Sequence, residues 1–191
     1  MTLRINAGIW RGRRLAAPPD RGVRPTSERA RIALFNILAH GAAYRSGEVP
    51  LPQDACVVEL FAGTGALGLE ALSRGAAHVT FIEQDRASAA LLSRNIAALA
   101  CEDRATLLVR DALDPGPPPM RCQLALLDPP YGLGLGAKAL AALRQRGWLA
   151  PGAIAALEVG AREAFAPPEG FELVDERAHG AARLVFLRLA D

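Results

Sequence analysis

Four consecutive residues, Asp128, Pro129, Pro130 and Tyr131, combine a carboxylate, two rigid rings and an aromatic side chain. They follow the apolar run 122–127, which is typical of a buried parallel strand. In open α/β sheets, ligands bind at the carboxyl ends of the strands. The four residues therefore lie where chemistry on a bound ligand is expected.

The two prolines restrict how this stretch can move. Proline fixes φ, has no N–H and keeps the residue before it extended, so a backbone carbonyl here is held in place as a hydrogen-bond acceptor. Asp128 and the carbonyl of Pro129 could accept the two hydrogens of an amino group on a planar heterocycle, while Tyr131 stacks on its ring. The alternative is a strand that ends in a proline-rich turn with a tyrosine at its rim.

A second group of residues predicts a cofactor site. Gly63, Gly65 and Gly68 form a G-x-G-x-x-G pattern after the predicted strand 57–61 and before a helical pattern. Glycines let the backbone approach a ligand closely. Glu83 ends the next predicted strand about 20 residues after the first glycine, where an acid can bind both hydroxyls of a ribose. The pattern favours an adenosine-type cofactor, but it also fits NAD.

Two further acids distinguish between adenosine cofactors. Glu59 lies inside the strand before the glycines, where a carboxylate would repel a pyrophosphate and attract an ammonium group. Asp111 ends the third predicted strand, where it could accept a hydrogen bond from an adenine amino group. S-adenosylmethionine carries an ammonium and a sulfonium and no phosphate, so both positions favour it. The alternatives are that Glu59 is a buried acid satisfied by backbone donors and that Asp111 caps a helix.

The positive charge of the chain is concentrated at its N-terminus. The net charge is +2 over 191 residues, but the first 31 residues hold eight arginines against Asp20 and Glu28, which leaves the remainder at −4. A basic segment joined to an acidic body indicates a polyanion binder. A GC-rich genome would explain the preference for arginine, since Lys138 is the only lysine, but not why the arginines gather here.

Residues 4–15 are predicted to form a short β-hairpin or arm. Trp10 lies in it beside Arg11, Arg13 and Arg14. An aromatic ring in this setting could stack on a base while the arginines contact phosphates. The alternative is that Trp10 anchors the arm to the rest of the protein.

The hydrophobic pattern predicts one α/β body behind this arm. A helix is expected from Thr26, its N-cap, to about His40, followed by a connector over 42–54. The predicted strands are 57–61, 78–82, 105–109, 122–127, 153–158, 171–176 and 183–189, and the later helices end near 74 or span 86–98 and 137–148. This order gives a mostly parallel sheet with a closing hairpin. We therefore predict an N-terminal appendage, 1–41, and a main domain, 55–191.

Composition excludes several classes of protein. Hydrophobic residues make up 51% of the chain, as in globular proteins, and no apolar run reaches the roughly 18 residues needed to cross a bilayer. We expect neither a signal peptide nor a membrane partner. The three cysteines and three histidines are scattered, so we expect no metal and a location in the reducing cytoplasm. We also expect a monomer.

Two of the motifs resemble those of class I S-adenosylmethionine-dependent methyltransferases. Residues 59–65 (ELFAGTG) resemble the first motif of that family, and residues 128–131 (DPPY) resemble the signature of enzymes that methylate amino groups. The resemblance implies a Rossmann-like α/β fold, with a seven-stranded, mostly parallel sheet and helices on both faces.

The N-terminal residues narrow the resemblance to the RsmD family. The family is resembled by residues 4–8, 10–13, 24–26, 29, 31, 34–36 and 65–76. The chain departs from it at Ile32, where an acid is usual, and matches it only loosely over 171–189. Its members methylate the exocyclic N2 of a guanine in bacterial small-subunit (16S) ribosomal RNA. The resemblance covers essentially the whole chain and implies a ribosomal RNA partner, within the small subunit or an assembly intermediate.

The resemblance also implies a role for each matched residue. Asp128, Pro129 and Tyr131 would hold the reacting amino group. The cofactor would be bound by Glu59, Phe61, Ala62, Gly63, Gly65, Gly68, Glu83, Gln84, Asp111, Ala112 and Thr26. The RNA would be contacted by Arg4, Trp10, Arg11, Arg13, Arg14, Arg24 and Pro130.

Three other functions are compatible with parts of the sequence. A DNA adenine-N6 methyltransferase could use the same tetrapeptide, although the chain has no room for a separate DNA-recognition domain. An NAD-linked oxidoreductase would rest on the glycine pattern alone, with no evident proton donor near Asp128. A catalytically silent RNA-binding protein would show no turnover of labelled S-adenosylmethionine.

Overall fold

The computed structural model describes residues 3–18 and 28–190, which form a seven-stranded sheet with helices packed on it. The helices are α1 (Glu28–His40), α2 (Ala66–Ser73), α3 (Arg86–Leu99) and α4 (Leu135–Gln145). The strands are β1 (Arg45–Ser46), β2 (Val49–Pro50), β3 (Cys56–Leu60), β4 (His78–Ile82), β5 (Ala105–Leu108), β6 (Cys122–Leu127), β7 (Leu149–Gly160), β8 (Phe171–His179) and β9 (Ala182–Leu189). Within the described residues, no helix is long and apolar enough to cross a membrane.

The large sheet has the strand order β5-β4-β3-β6-β7-β9-β8. Strands β3 to β7 are parallel, whereas β9 runs antiparallel to both β7 and β8. From the centre of the sheet, β3, β4 and β5 follow one another towards one side, and β6 to β9 are added on the other side. The order in which strands are added therefore reverses between the neighbouring strands β3 and β6. The loops that follow two such strands separate and leave a crevice. The predicted mostly parallel seven-stranded sheet is confirmed.

Successive residues of the central strands pack on opposite faces of the sheet. Val57 and Leu124 belong to the core that includes side chains of α1, α2 and α3. Val58 and Leu127 belong to the second core, which includes side chains of α4. Both faces are thus covered by helices, as predicted, and this double burial explains why the strands read as continuous apolar runs.

The N-terminal residues fold back on themselves as an arm. Arg4 and Arg14 form an antiparallel bridge, which confirms the predicted hairpin-like arm. Ile5 and Leu15 are 1% and 5% exposed and lie in the same core as the central strands. The arm therefore packs on the body of the protein through its own apolar side chains.

A buried carboxylate ties the arm to α2. Glu70 is fully buried, and its two oxygens accept the amides of Asn6 and Ala7 at 2.7 and 3.0 Å. The same carboxylate pairs with Nε of Arg74 at 2.8 Å and lies 3.8 Å from Nε of Arg31, which is itself buried. One acid thus joins the arm, α1 and α2.

Several predicted boundaries were wrong. Helix α4 stops at Gln145 instead of reaching 148, because Gly147 turns the chain at φ 73° and Trp148 enters the core, with its Nε1 donating to the Gly116 carbonyl at 2.8 Å. Strand β7 starts earlier than the predicted 153, because its first residue pairs with Cys122 across an irregularity in register. The predicted connector contains the small ribbon β1–β2.

Two predictions fall on residues that the structure does not describe. The N-cap and cofactor contact of Thr26 and the RNA contact of Arg24 both lie outside the described residues. Helix α1 ends at His40, as predicted. The division into 1–41 and 55–191 stays a prediction.

Candidate active site

The loop between β3 and α2 turns sharply at the carboxyl edge of the sheet. Phe61, Gly63 and Gly65 have φ values of 57°, 53° and 76°. The amide of Gly63 donates to Oε2 of Glu83 at 2.7 Å, and Oε1 of the same side chain accepts the amide of Asp85 at 2.8 Å. The acid that follows β4 is thus held against the glycine loop, close to where the spacing predicts it. An ionised carboxylate has about four acceptor sites, so it can also take hydroxyl donors.

Glu59 is a buried acid at the base of this loop. It is 3% exposed, and its Oε2 accepts the amide of Gly68 at 2.9 Å. Burial is the main reason that the pKa of Glu59 rises from 4.5 to about 8, and the charges of Asp128 and Glu83 act in the same direction. Glu59 lies in β3, which pairs with β4 and β6, and Glu83 and Asp128 directly follow these two strands, so the three acids lie at one edge. Among the described residues, no group of three or more His, Cys, Asp or Glu side chains could hold a metal ion.

Gly68 permits the close approach of α2 to the sheet. A Cβ at this position would lie 2.6 Å from Oε2 of Glu59 and 2.8 Å from Cγ1 of Val79, and it would overlap the ring of Phe81. Any side chain would therefore push α2 away from β3 and β4, which is the role expected of the third glycine in such a loop. Contact between Gly68 and the cofactor stays a prediction.

The remaining predicted cofactor residues line the same edge with mixed exposure. Phe61 is half-buried, Ala62 and Ala112 are buried, and Gln84 and Asp111 are exposed. Oδ1 of Asp111 accepts the amide of Leu113 at 2.8 Å, so this acid caps a turn. A carboxylate that caps a turn keeps further acceptor sites, and a role in adenine recognition stays compatible with this geometry.

The tetrapeptide follows β6 directly and borders the crevice. Asp128 is half-buried, Pro129 is buried, Pro130 is exposed and Tyr131 is 40% exposed. Because β6 lies beside β3, the tetrapeptide faces the glycine loop across the point where the chain reverses direction. The structure thus brings together the acceptor pair and the ring that the sequence singled out with the predicted cofactor loop.

Two acids outside the predicted set hold this tetrapeptide. Glu158 of β7 is 4% exposed and accepts a hydrogen bond from the hydroxyl of Tyr131. Oε2 of Glu163 accepts the amides of Gly132 and Gly160 at 2.9 and 3.2 Å. The sequence gives a signal only for Glu158, which is a lone acid at the end of an apolar predicted strand.

Trp10 is placed by the structure against the body of the protein. Its half-buried ring packs on the core, with the guanidinium of Arg104 5.2 Å from the ring centroid. Its backbone amide donates to Oγ of Ser73 at 3.0 Å. This geometry favours the alternative in which Trp10 anchors the arm, while base stacking stays untested.

The arginines of the arm lie away from the tetrapeptide. Nη2 of Arg13 donates at 2.6 Å to the carbonyl of Ala98 in the last turn of α3, and Nη1 of Arg4 donates to the Gly12 carbonyl at 3.2 Å. Since α3 starts at the carboxyl end of β4, its last turn lies towards the amino ends of the strands. Arg11 and Arg14 are exposed on this part of the arm. Their contact with RNA stays a prediction.

One buried amide connects the arm with the glycine loop. Asn95 of α3 is 2% exposed and exchanges two hydrogen bonds with the backbone of Ala16, at 2.8 and 3.1 Å. Its Nδ2 also donates to the carbonyl of Thr64 at 2.9 Å. No sequence pattern points to this residue, because a single asparagine within a helical segment is unremarkable.

A parallel sheet with a crevice at its reversal point, a glycine loop and an acid at the next strand end give the chain a Rossmann-like fold. With the antiparallel β9 between β7 and β8, it is the fold expected of a class I methyltransferase. Over residues 3–188, the chain matches the family described as Conserved hypothetical protein 95. The chain belongs to this family, which is the RsmD family that the sequence resembles.

Named relatives agree with this assignment. The chain is 34% identical over 182 residues to the ribosomal RNA small subunit methyltransferase D of Haemophilus influenzae, covering 93% of this chain and 89% of the relative. It is 40% identical over 160 residues to the protein of the same name from Escherichia coli K12, covering 82% and 74%. The solved structure of Escherichia coli yhhF, a candidate methyltransferase, matches with a TM-score of 0.82 and 35% identity, covering 100% and 99%. The chain is therefore a methyltransferase, and the oxidoreductase alternative has no support.

Proposed function

We propose that this methyltransferase transfers a methyl group from S-adenosylmethionine to the exocyclic N2 of a guanine in small-subunit (16S) ribosomal RNA. The observation that carries the proposal is the placement of Asp128 and Pro129 at the end of β6, across the crevice from the glycine loop. The relatives named for methylation of small-subunit ribosomal RNA support this substrate. The substrate would be the small subunit or an assembly intermediate, and a cytoplasmic monomer stays our prediction.

The crevice residues fit S-adenosylmethionine, which when bound supplies a methyl group activated by its sulfonium. Glu83 would accept the ribose hydroxyls, and Asp111 would accept the adenine amino group. Glu59 would face the ammonium, whose positive charge favours the ionised form of this buried acid. The other residues that would line the cofactor are Phe61, Ala62, Gly63, Gly65, Gln84 and Ala112.

Asp128 and Pro129 would act on the attacking nitrogen. The N2 lone pair of guanine is delocalised into the ring, so the amine is a poor nucleophile. Hydrogen bonds from its two hydrogens to the Asp128 carboxylate and the Pro129 carbonyl favour the tetrahedral nitrogen of the transition state. Bound S-adenosylmethionine would supply the methyl group and keep the electron pair of its S–C bond, while Asp128 and Pro129 hold the two amine hydrogens. The methylated nitrogen then loses a proton to Asp128 or water, so no base is needed before transfer.

Tyr131 and Pro130 would receive the target base at the mouth of the crevice. A base must leave its stack to reach such a pocket, at a cost of a few kcal/mol. A partly exposed ring at this position can stack on the extruded guanine and hold its plane relative to the methyl group. Positioning of this kind supplies much of the rate enhancement when the donor is already activated.

Methyl transfer from labelled S-adenosylmethionine tests the proposed function. Small ribosomal subunits that lack the modification, naked ribosomal RNA and duplex DNA are offered in parallel, and the product nucleosides are identified. We expect the label as N2-methylguanosine in RNA. Label in DNA adenine would favour the DNA methyltransferase alternative, and no label together with no bound S-adenosylmethionine would contradict the proposal.

Substituting two of the exposed arginines of the arm, as Arg11→Gln with Arg14→Gln, is expected to weaken RNA binding and to lower its salt dependence. Each phosphate contact releases counterions, so loss of two contacts should reduce the slope of log K against log salt by about 2. The dissociation constant for a 16S RNA fragment is measured between about 50 and 200 mM salt. The control is Arg121→Gln in the exposed segment before β6. An unchanged slope in the arm variant would leave the arm a purely structural role.

Glu59→Gln is expected to make the free protein more stable above neutral pH. The folded chain holds the Glu59 proton up to about pH 8, whereas the unfolded chain releases it near 4.5. The stability of the wild type should therefore fall as the pH rises between these values, and the glutamine variant should lack this fall. Urea denaturation at a series of pH values measures the effect. The exposed Glu48→Gln serves as control and should leave the slope unchanged, whereas parallel curves for wild type and Glu59→Gln would contradict the assignment.

A further inference from the structure

Glu158 is a buried acid beside the proposed site that none of the steps above uses. Leu157, the residue before it, pairs with Leu127 of β6, so Glu158 lies at the sheet edge next to Asp128. It is 4% exposed and accepts the hydroxyl of Tyr131. A short connection thus runs from the end of β7 to the ring that borders the crevice.

The backbone around Tyr131 is fixed on its other side. The amide of Gly132, the next residue, donates to Oε2 of Glu163, which also accepts the amide of Gly160 at the end of β7. Gly132 and Gly134 have φ values of 75° and 61°, so the chain turns away immediately after the tyrosine. Glu158 of β7 and Glu163 of the loop that follows β7 therefore hold the hydroxyl of Tyr131 and the amide after it.

Burial of a carboxylate at position 158 needs a reason beyond stability. Taking a charge out of water costs several kcal/mol, and a well-packed apolar residue usually stabilises such a position as well or better. The hydrogen bond between the Tyr131 hydroxyl and the Glu158 carboxyl group has a defined direction, and removing either partner leaves the other without it. The acid thus fixes the direction of the Tyr131 hydroxyl and, through it, the orientation of the ring.

We propose that Glu158 is a positioning residue that fixes the Tyr131 ring as one wall of the pocket for the target base. The inference rests on the proposed function, because it takes the wall to be in contact with the extruded guanine. Without the hydrogen bond, the 40% exposed ring would rotate about its side-chain torsions and would stack on the base only part of the time. The base would still bind, but it would be aligned less often with the methyl group.

A double-mutant cycle separates this role from a general structural one. Tyr131→Phe keeps the ring and removes the hydroxyl, Glu158→Ala removes the acceptor, and Glu158→Gln keeps a neutral acceptor of the same size. Each of the first two changes should lower kcat for RNA methylation about 10-fold, with KM and cofactor affinity changed less than about threefold. The pair should lose no more than either single variant, and Glu158→Gln should retain most of the rate.

Fluorine NMR provides a readout that does not depend on turnover. The chain contains two tyrosines, so 3-fluorotyrosine gives two signals, which Tyr44→Phe assigns. In the wild type, the Tyr131 signal should be broad and displaced from that of the free amino acid. In Glu158→Ala it should narrow and move towards the free value, while the Tyr44 signal stays in place; where the alanine variant does not fold, Glu158→Gln is measured and should show a smaller shift.

The two readouts keep this inference apart from the assignment of the substrate. The cycle is measured on whichever nucleotide the wild type methylates, so a wrong choice of base leaves it valid, and the fluorine signal requires no substrate. The positioning role would be overturned if the losses in kcat were additive in the double variant. It would also be overturned if the Tyr131 fluorine signal were the same in the wild type and in both variants at position 158.

Discussion

Replacing Asp128 by alanine is expected to lower the rate constant of methyl transfer by roughly 10²- to 10³-fold, which is the usual effect of removing one group that stabilises a transition state. The side chain is half-buried and follows the end of β6, so its removal should leave the sheet intact. Affinity for S-adenosylmethionine should change less than about threefold, because the expected partner of Asp128 is the base. Single-turnover transfer of labelled methyl groups measures the rate, and calorimetric titration measures cofactor binding.

Asp128→Asn is the matched control for this prediction. Asparagine keeps an acceptor oxygen in the same place but carries no charge, so its rate should fall between those of the wild type and the alanine variant. The charge of Asp128 raises the pKa of Glu59, so the cofactor titrations belong at a pH above about 8, where Glu59 is ionised in all three proteins. Wild-type turnover in Asp128→Ala would refute the proposed mechanism. Loss of cofactor binding in step with the rate would instead place Asp128 in the cofactor site.

The central strands could be predicted well because they are buried on both faces. Strands β4 and β6 have the predicted bounds, since each is an apolar run closed by polar or loop residues. Glu83 and Asp128 follow these strands directly, and parallel strands place their carboxyl ends at one edge. Local sequence therefore sufficed to bring the two acids into one crevice, although it could not supply the distances between them.

Contacts between distant segments could not be predicted in this way. Arg31 lies between Ala30 and Ile32 in the first turn of α1, where an arginine is usually solvated, yet it is 1% exposed beneath the arm. Glu70 and Arg74 have the spacing of an ordinary surface ion pair on a helix, but the acid is fully buried. Burial in both cases depends on where the arm docks, which no local pattern encodes.

The same limit applies to the acids around Tyr131. In the sequence, Glu158 can be recognised as a polar residue near the end of an apolar strand. Its contact with Tyr131, however, depends on β7 lying next to β6. A parallel neighbour of β6 could equally have come from another part of the chain. The order of strands in the sheet, and not the strand itself, makes this acid a neighbour of the tetrapeptide.

Glu70→Ala is expected to destabilise the fold by about 3–5 kcal/mol, the range found when one partner of a buried ion pair is removed. The change removes the acceptor of the amides of Asn6 and Ala7. It also removes the carboxylate that pairs with Arg74 and lies beside the buried Arg31. Burial already lowers the pKa of Arg31, and Glu70 is the strongest of the charges that oppose this shift. For a chain of this size, each kcal/mol lowers Tm by about 2–4 °C, so the melting temperature should fall by roughly 10 °C.

The part of the protein that loses stability in Glu70→Ala can be identified, as well as the size of the loss. Exposed Glu48→Ala should leave Tm almost unchanged, and Glu70→Gln, which retains one acceptor oxygen, should lie between the two. Limited trypsin digestion should cut the arm at Arg11 or Arg13 faster in Glu70→Ala than in the wild type, because the arm loses its tie to α2. A lower Tm without faster cleavage of the arm would show that the lost stability comes from α2 and not from the contact between α2 and the arm.

The Glu70 variant also bears on the cofactor site. Helix α2 begins directly after Gly65, so the carboxylate that holds the arm lies on the same short helix that follows the glycine loop. Asn95 provides a second link, since it bonds both the arm at Ala16 and the loop at Thr64. If the arm stabilises the loop through these two contacts, Glu70→Ala should weaken S-adenosylmethionine binding under conditions where the protein is still folded. Unchanged cofactor affinity at such a temperature would show that the arm and the glycine loop are energetically independent.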